Sequence, residues 1–337
     1  MKPDLVILDI INYWVPDIGV KLNIPTAFFS GFYAALLAFV GPISEYKESS
    51  SERTTEHLTS VPEWIPFPSS LACRYHDAIG FNAILNTKDA TGLSTADYVV
   101  DLDGEYVNLL NDLYQKPIIP IGLLPPRWSS KNSNSEMFHW LDRQQPKTVV
   151  YVSFGSEYKM SVDEIHELAF GLETSELPFL WVLRKPEGID QSSLLPSGFE
   201  DRIRGRGFMC FGWISQVEVL SHTAIGGSLC HYGSSSISEN LFFGHNQILM
   251  PMILEQGINA RFLVEKGLGY EIERNENGSF TRDAVAKSMR IVMVEPEGEQ
   301  LRQKATEMSK NIFSNHDLHG DYIHEFISAL GPLLSKE

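Results

Sequence analysis

The sequence predicts an α/β protein whose parallel sheets carry helices on both faces, arranged in two halves. Short apolar runs of strand type alternate with helical stretches along most of the 337 residues, which is the pattern of repeated βαβ units. A Pro-Pro pair at 125–126 and a polar run at 129–135 interrupt the alternation near the middle, as linkers between domains do. The length suffices for two domains that each have a hydrophobic core.

The first series of elements begins in the middle of an alternation. Its strands are short apolar runs and its helices are the longer stretches between them. The predicted strands are Leu5–Leu8, Thr26–Ser30, Tyr98–Asp101 and Ile118–Ile121, and the predicted helices are Tyr13–Leu22, Phe32–Phe39, Leu71–Asn86 and Glu105–Gln115. Residues 44–70 are rich in Ser, Glu, Thr and Pro, which predicts a long loop.

The second series restarts after the linker with clearer signals. Ser161 and Glu164 have the spacing of a capping box, which predicts a helix from Ser161 to about Glu173. The predicted strands are Thr148–Phe154, Phe179–Leu183, Phe208–Trp213 and a short one near Tyr270, with a loop at Leu195–Gly207. The other predicted helices are Phe138–Gln144, one from Gln256 to Lys266, and three that begin near Thr281, Gly298 and Asp317.

The net charge of −16 argues against nucleic acid or an anionic membrane as a partner, because both require a basic surface. It is compatible with a small phosphate ligand, which a helix N-terminus can bind without lysines. Three widely spaced cysteines form no metal or disulfide pattern and favour a reducing, cytoplasmic compartment. Pro25 and Pro42 interrupt the uncharged run Leu22–Ser44, which is therefore predicted to be a buried strand and a buried helix rather than a transmembrane segment.

The stretch Trp213–Gln256 carries most of the candidate ligand contacts. Trp213, at the end of a strand, could stack on a flat base, although burial in a core is the commoner reason for a tryptophan. A His-x-Gly turn then precedes three serines, and the N–H groups at the start of such a helix suit a diphosphate. The alternative is a capping box from Ser236 to Glu239, which would make Glu239 purely structural.

Two other pairs lie at strand-to-helix junctions. Glu255 and Gln256 suit vicinal hydroxyls, or else Glu255 is an ordinary acid at a helix start. Gly155 and Ser156 form a second possible phosphate contact, or an ordinary turn. The sequence contains neither G-x-G-x-x-G nor G-x-x-x-x-G-K-[ST], which disfavours dehydrogenases and P-loop enzymes. The histidines near the C-terminus lack ligand spacing, so no metal is expected.

The candidate contacts from Trp213 to Gln256 occur in the order and at the spacing of a known sequence motif. The 44 residues from Trp213 to Gln256 resemble the signature box of plant UDP-sugar-dependent glycosyltransferases of secondary metabolism. The matching positions are Trp213, Gln216, Val219–His222, Ala224, Gly226, Gly227, His231, Gly233, Ser236, Glu239, Gly244, Pro251, Glu255, Gln256, Asn259 and Ala260. Outside the box, VYVSFGS at 150–156, FLWV at 179–182 and LPSGF at 195–199 resemble the same family.

The resemblance implies a GT-B fold with two Rossmann-like domains, each with a parallel sheet, of which the N-terminal one is incomplete here. Residues 1–122 are expected to form a partial acceptor domain, residues 123–136 a linker, and residues 137–316 the UDP-sugar-binding domain. Residues 317–337 are expected to form a helix that packs back on the N-terminal domain. The resemblance also implies a cytoplasmic monomer that uses a UDP-sugar as co-substrate and needs no cofactor or metal.

The resemblance assigns a role to the matching residues of the donor site. Trp213 would stack on uracil, Ile214 would contact it through the backbone, and Glu239 would hold the ribose. His231, Ser236 and Ser156 would hold the diphosphate, Glu255 and Gln256 would hold sugar hydroxyls, and Gln216, Gly233 and Ser235 complete the predicted donor site.

The implied activity is inverting transfer of glucose or rhamnose to a hydroxyl of a glycosylated flavonoid or terpenoid. Leu5–Trp14 and Pro120–Pro126 look most like the branch of the family that extends an existing sugar. Asp9 matches the aspartate that orients the family's catalytic histidine. No histidine precedes His57, whose context differs from that of the base, so we expect an N-terminally truncated chain without its general base. The alternatives are a non-catalytic UDP-sugar-binding or interaction protein and, less well supported, an unrelated nucleotide-binding α/β enzyme.

The box departs from the family pattern in its middle. Tyr232 stands where the family has Cys, and Ser234 and Ser235 stand where it has Trp and Asn. Ser215 replaces a Pro, and Gly244-His-Asn246 replaces Gly-Val-Pro. In the family the lost Trp and Asn shape the phosphate and sugar pocket, so the resemblance leaves the sugar undetermined.

Overall fold

The computed structural model describes residues 3–8, 15–41, 54–85, 104–114, 118–119, 135–184, 194–313 and 315–334. The chain divides into two compact units, Met1–Leu124 with Asn315–Glu337, and Pro125–Ser314. The predicted strand Tyr98–Asp101, most of the predicted linker and Asp9 lie outside the described residues.

The first unit contains a short parallel sheet, in which β1 (Val6–Leu8) pairs with β2 (Thr26–Phe28). Its helices are α1 (Val15–Leu22), α2 (Ala34–Val40), α3 (Tyr75–Leu85), α4 (Gly104–Tyr114) and a C-terminal helix, His316–Leu334. Every residue of α2 is buried, as the uncharged run predicted, whereas β2 is only half-buried. Among the described residues, no helix is both long enough and apolar enough to cross a bilayer.

The second unit is built on a parallel sheet, which has six strands within the described residues. The strands are β3 (Val149–Ser153), β4 (Phe179–Leu183), β5 (Gly207–Phe211), β6 (Ile225–Cys230), β7 (Asn246–Leu249) and β8 (Gly269–Glu271). The helices are α5 (Glu136–Leu141), α6 (Val162–Thr174), α7 (Phe199–Arg202), α8 (Gln216–Leu220), α9 (Ser234–Phe242), α10 (Gln256–Glu265), α11 (Arg282–Met293) and α12 (Glu299–Met308).

The order of the strands determines where a ligand can bind. The strand order in the sheet is β5-β4-β3-β6-β7-β8. The chain begins with the central strand β3, adds β4 and β5 on one side of it, and then crosses to add β6, β7 and β8 on the other side. The order therefore reverses between β3 and β6, and the loops that leave these two strands diverge to opposite faces of the sheet. Ligands of such sheets bind in the resulting crevice, beyond the carboxyl ends of the strands.

The core lies on both faces of this sheet because successive strand residues point to opposite sides. Along β3, Val150 and Val152 join the cluster that packs under α6 and α11, while Val149 and Tyr151 join the cluster under α5 and α8. All five residues of β3 are buried. Continuous burial of this kind is expected for a central parallel strand that helices cover on both faces.

The predicted capping box is confirmed. The Ser161 hydroxyl accepts a hydrogen bond from the Glu164 N–H, and the Glu164 carboxylate accepts one from the Ser161 N–H. The prediction that Leu195–Gly207 is a loop is wrong for Phe199–Arg202, which form the short helix α7. Phe199 is buried against Trp181, with ring centroids 6.3 Å apart, and that distant contact stabilises a helical turn which the charged local sequence does not indicate.

Candidate functional site

Two strand-to-helix turns meet at the point where the strand order reverses. Ser153 and Cys230 are paired at the ends of β3 and β6, so the residues that follow them are neighbours. Gly155 has a φ of +64°, and a Cβ at this position would lie 2.9 Å from Cε1 of His231. The absence of a side chain at Gly155 therefore lets the first turn lie directly against the imidazole of the second.

His231 is half-buried in this crevice. Burial lowers its imidazole pKa, and the Glu157 carboxylate and the Ser153 carbonyl partly offset this effect. The neutral imidazole that results at neutral pH can still donate one hydrogen bond to a phosphate. Glu157, which follows the predicted contact Ser156 and is exposed, was not among the predicted site residues.

The helix α9 begins directly after the second turn. Gly233 is its N-cap, and no side chain caps the helix. The backbone bond from the Ile237 N–H to the Gly233 carbonyl, at 3.2 Å, starts the helical ladder. The N–H groups of the preceding first turn have no intrahelical acceptor, and they point out of the N-terminus with the positive end of the helix dipole. Ser235 is exposed and Ser236 is half-buried at this end.

The alternative interpretation of Ser236 and Glu239 as a capping box is wrong. The helix starts two residues before Ser236, so Ser236 lies inside the first turn and not at the cap. The Glu239 carboxylate instead accepts a hydrogen bond of 2.6 Å from Nε2 of Gln216, on the neighbouring helix α8. Burial raises the pKa of Glu239, and this hydrogen bond partly offsets the rise.

Tyr232 lies between His231 and Gly233 in the second turn. Its backbone adopts a left-handed conformation, with a φ of +57°. Its side chain is 0% exposed, and its hydroxyl lies 2.7 Å from Oγ of Ser228 and donates to the Ser228 carbonyl. The Tyr232 carbonyl accepts a hydrogen bond of 3.1 Å from Nδ2 of the buried Asn259. This departure from the family pattern is therefore accommodated beneath the turn, with its polar groups paired, and does not occupy the crevice.

Trp213 is 81% exposed, so the interpretation as a core tryptophan is wrong. β5 ends at Phe211, and Gly212 then adopts a φ of +105° that only glycine takes without strain. The next residue, Ile214, is half-buried and packs on the cluster under α5 and α8. The chain therefore anchors Ile214 in the core and leaves the indole ring facing solvent.

The loop after β7 holds the last pair of predicted contacts. Gln256 is 2% exposed, and its Oε1 accepts hydrogen bonds of 3.0 Å from the N–H groups of Met252 and Ile253. The backbone therefore holds the oxygen end of the amide. Burial raises the pKa of Glu255, a hydrogen bond from its own N–H lowers it, and Glu157 raises it again.

The described residues of the second unit place Gly233 and the turn at Gly155 beside His231 and join Gln216 to Glu239. Asp9 lies outside the described part of the chain. Sequence reasoning missed Tyr151 and assigned no role to Asn259. Tyr151 lies two residues before Ser153 on the same side of β3, and its hydroxyl donates to Oε1 of Gln216 at 3.1 Å. Among the described residues, no group of three His, Cys, Asp or Glu side chains is arranged to hold a metal ion.

Comparisons with known proteins agree with this geometry. Residues 117–307 match the family model described as "UDP-glucoronosyl and UDP-glucosyl transferase". The chain is 41% identical to UDP-glycosyltransferase 91C1 of Arabidopsis thaliana, over 97% of this chain and 73% of that one. It is 36% identical to the Soyasaponin III rhamnosyltransferase of Glycine max, over 98% and 73% of the two chains. The structure of Os79 from O. sativa in complex with UDP superposes with a TM-score of 0.77 at 22% identity, over 97% of this chain and 78% of that one, which confirms the GT-B fold class.

Proposed function

Because the chain belongs to the family of UDP-glucoronosyl and UDP-glucosyl transferases, which move a sugar from a UDP-sugar, we propose that it transfers glucose or rhamnose to a hydroxyl of a glycosylated flavonoid or terpenoid. The observation that carries this proposal is the crevice between β3 and β6, where a neutral histidine lies beside the N-terminus of a helix that no side chain caps. The name of the soybean relative, a rhamnosyltransferase, supports rhamnose as one of the two sugars.

We infer that the donor binds along the carboxyl edge of the second unit. The exposed indole of Trp213 stacks on uracil, with the Ile214 backbone at the ring edge, and Glu239 accepts hydrogen bonds from the ribose hydroxyls. The diphosphate lies over the N-terminus of α9, where N–H groups, hydroxyls and the imidazole donate without adding formal charge. The residues proposed for the diphosphate are Ser156, His231, Gly233, Ser235 and Ser236.

The sugar lies between the diphosphate and the loop after β7. Its hydroxyls donate to the half-buried Glu255 carboxylate and accept from Nε2 of Gln256, whose oxygen is already bound by the backbone. Toward the sugar, Glu255 therefore acts only as a hydrogen-bond acceptor and Gln256 only as a donor. Any pair of neighbouring hydroxyls with suitable orientation satisfies this arrangement, so it supports a hexose without choosing between glucose and rhamnose.

The chemistry that follows is direct displacement at the anomeric carbon, with inversion. The acceptor oxygen forms a bond to that carbon while the bond to the UDP oxygen breaks, and negative charge grows on the diphosphate. The helix dipole and the donors at the start of α9 stabilise this charge, which lowers the barrier. Asp9 is proposed to orient the base that accepts the proton of the acceptor hydroxyl.

A second candidate is a non-catalytic UDP-sugar-binding protein. One sequence observation favours it, namely the replacement of Trp and Asn by Ser234 and Ser235. Both candidates bind the donor through the same residues, and they differ in whether transfer follows. We propose a cytoplasmic monomer in either case.

The two candidates are separated by titrating UDP calorimetrically and then supplying a UDP-sugar with glycosylated flavonoid or terpenoid acceptors. Saturable UDP binding together with a glycosylated product supports the transferase. Binding without product from any acceptor supports the second candidate. If UDP does not bind at all, both candidates are wrong.

As the pH is lowered, the affinity for UDP is expected to start falling at a higher pH than it would if Glu239 had the pKa of an ordinary glutamate. The ionised Glu239 carboxylate accepts from the ribose, and protonation removes that acceptor. Since burial raises the pKa of Glu239, the loss begins above the usual range of a glutamate. The measurement is the UDP dissociation constant as a function of pH for the wild type and for Glu239→Gln.

Titration of UDP itself affects both proteins equally, so the difference between the two curves isolates the carboxylate. The Glu239→Gln variant is expected to bind roughly tenfold or more weakly at neutral pH, since hydrogen bonds to a charged group contribute about 1.5–3 kcal/mol. Parallel pH curves for the two proteins would show that Glu239 does not contact the ligand.

A further inference from the structure

Tyr151 is a buried titratable residue to which the proposed reaction gives no role. It lies in the middle of β3, is 2% exposed, and turns its ring toward the cluster under α5 and α8. Its hydroxyl reaches the edge of the donor site, where it donates to Oε1 of Gln216 at 3.1 Å. Burial raises the pKa of this phenol, so the hydroxyl keeps its proton and remains a donor.

The hydrogen bonds continue from Gln216 to the proposed ribose contact. Nε2 of Gln216, the first residue of α8, donates to Oε2 of Glu239 at 2.6 Å. One chain of hydrogen bonds therefore joins β3, α8 and α9 through Tyr151, Gln216 and Glu239. Within the described residues, the other carboxylate oxygen, Oε1 of Glu239, has no hydrogen-bond partner.

The direction of this chain is fixed by chemistry. An ionised carboxylate only accepts, so it must face the NH₂ end of the Gln216 amide. The phenol donates to the opposite end, the carbonyl oxygen. If the amide were reversed, its oxygen would face the carboxylate and that hydrogen bond would be lost, although the phenol could still accept a hydrogen bond from the NH₂ group. The carboxylate thus selects the orientation of the amide, and the Tyr151 hydroxyl holds the amide oxygen in place. Gln216 then binds one oxygen of Glu239 and leaves the other for a ligand.

We propose that Tyr151 is a positioning residue for ribose recognition, which acts through Gln216 to hold the Glu239 carboxylate toward the two ribose hydroxyls. This proposal rests on the proposed function, because it requires the nucleotide to bind with its ribose at Glu239. It adds that a residue with no contact to the ligand determines how strongly the site prefers a ribonucleotide over a deoxynucleotide.

The test compares UDP with its dideoxy analogue, which lacks both ribose hydroxyls, in binding to the wild type and to Tyr151→Phe. The wild type is expected to prefer UDP by roughly tenfold or more, and the variant by about threefold or less, because a disordered amide no longer holds the carboxylate. The substitution removes one hydroxyl and keeps the buried ring, so the fold is retained. The ratio of the two affinities is informative because a general loss of stability lowers both.

The matched control is Tyr158→Phe. The hydroxyl of Tyr158 also donates to a glutamate, Oε1 of Glu164 at 2.6 Å, in the capping box of α6 and not at the ribose contact. This variant loses the same kind of hydrogen bond and is expected to keep the wild-type preference for UDP. An equal loss of preference in both variants would contradict a specific role for Tyr151.

A second pair of variants shows whether Tyr151 acts through Gln216. Gln216→Leu removes the donor to Glu239 directly, and it is expected to lower the preference for UDP at least as far as Tyr151→Phe does. In the Gln216→Leu background, Tyr151→Phe is expected to change the ratio no further, as residues in one chain of hydrogen bonds are coupled. A full and unchanged effect of Tyr151→Phe in that background would mean that the hydroxyl does not act through Gln216, which overturns the proposal.

The outcomes separate this inference from the proposed function. If the wild type does not bind UDP, the proposed function and this inference both fail. If the wild type binds UDP and the dideoxy analogue equally, or if Tyr151→Phe keeps the full preference, this inference fails while donor binding stands.

Discussion

Trp213→Ala is expected to weaken UDP binding by roughly 5- to 150-fold, since stacking of a base on an aromatic side chain contributes about 1–3 kcal/mol. The indole is 81% exposed, so its removal costs the fold little and the loss reports on the ligand. The measurement is the dissociation constant of UDP by calorimetry, together with the thermal midpoint of the free protein.

Trp213→Phe is the matched control, because it keeps a flat ring at the same place. This variant is expected to retain most of the affinity, with a modest loss from the smaller stacking surface. If the alanine and phenylalanine variants bind UDP equally well, uracil does not stack at this position. If Trp213→Ala also lowers the thermal midpoint of the free protein by many degrees, Trp213 has a structural role that its exposure does not indicate.

Gly226→Ala is expected to destabilise the second unit by at least about 3 kcal/mol, because the new methyl group would overlap backbone atoms. Gly226 is the extra residue in β6 where its register with β3 shifts, since Val149 pairs with Ile225 and Val150 with Gly227. A Cβ at Gly226 would overlap the carbonyl group of Lys147. Because this group belongs to the backbone, the central strand pair must separate to relieve the overlap.

Gly227→Ala provides the comparison within the same strand. Its Cβ would meet the flexible Sδ of Met293 at 2.5 Å and the Asn246 carbonyl at 3.0 Å, so a side-chain movement relieves most of the overlap. We expect a smaller loss than for Gly226→Ala. The measurement is the protection of the β3 and β6 amides from hydrogen exchange in both variants, because these amides report on the stability of the second unit and not of the first. Equal protection in Gly226→Ala and the wild type would contradict the packing argument.

The second unit was largely predictable because its signals are local. The β-branched run of β3, the capping box at Ser161 and the alternation of strands with helices depend on residues close together in the chain. The signature box from Trp213 to Gln256 is also continuous, so its resemblance to the glycosyltransferases could be found without a structure. The elements that were placed wrongly, such as α7, owe their conformation to contacts with distant residues such as that of Phe199 with Trp181.

The sequence by itself determined the family, the α/β alternation and the identity of most donor-site candidates, since these are properties of residue type and spacing. Only the tertiary structure excluded the interpretation of Trp213 as a core residue and that of Ser236 and Glu239 as a capping box. It placed Trp213 in solvent, bound Glu239 to Gln216 instead of to a helix cap, and committed one end of the Gln256 amide to the backbone. The physical reason is that exposure and hydrogen-bond partners depend on which strands are neighbours, and here the two strands that frame the site, β3 and β6, are more than 70 residues apart in the chain.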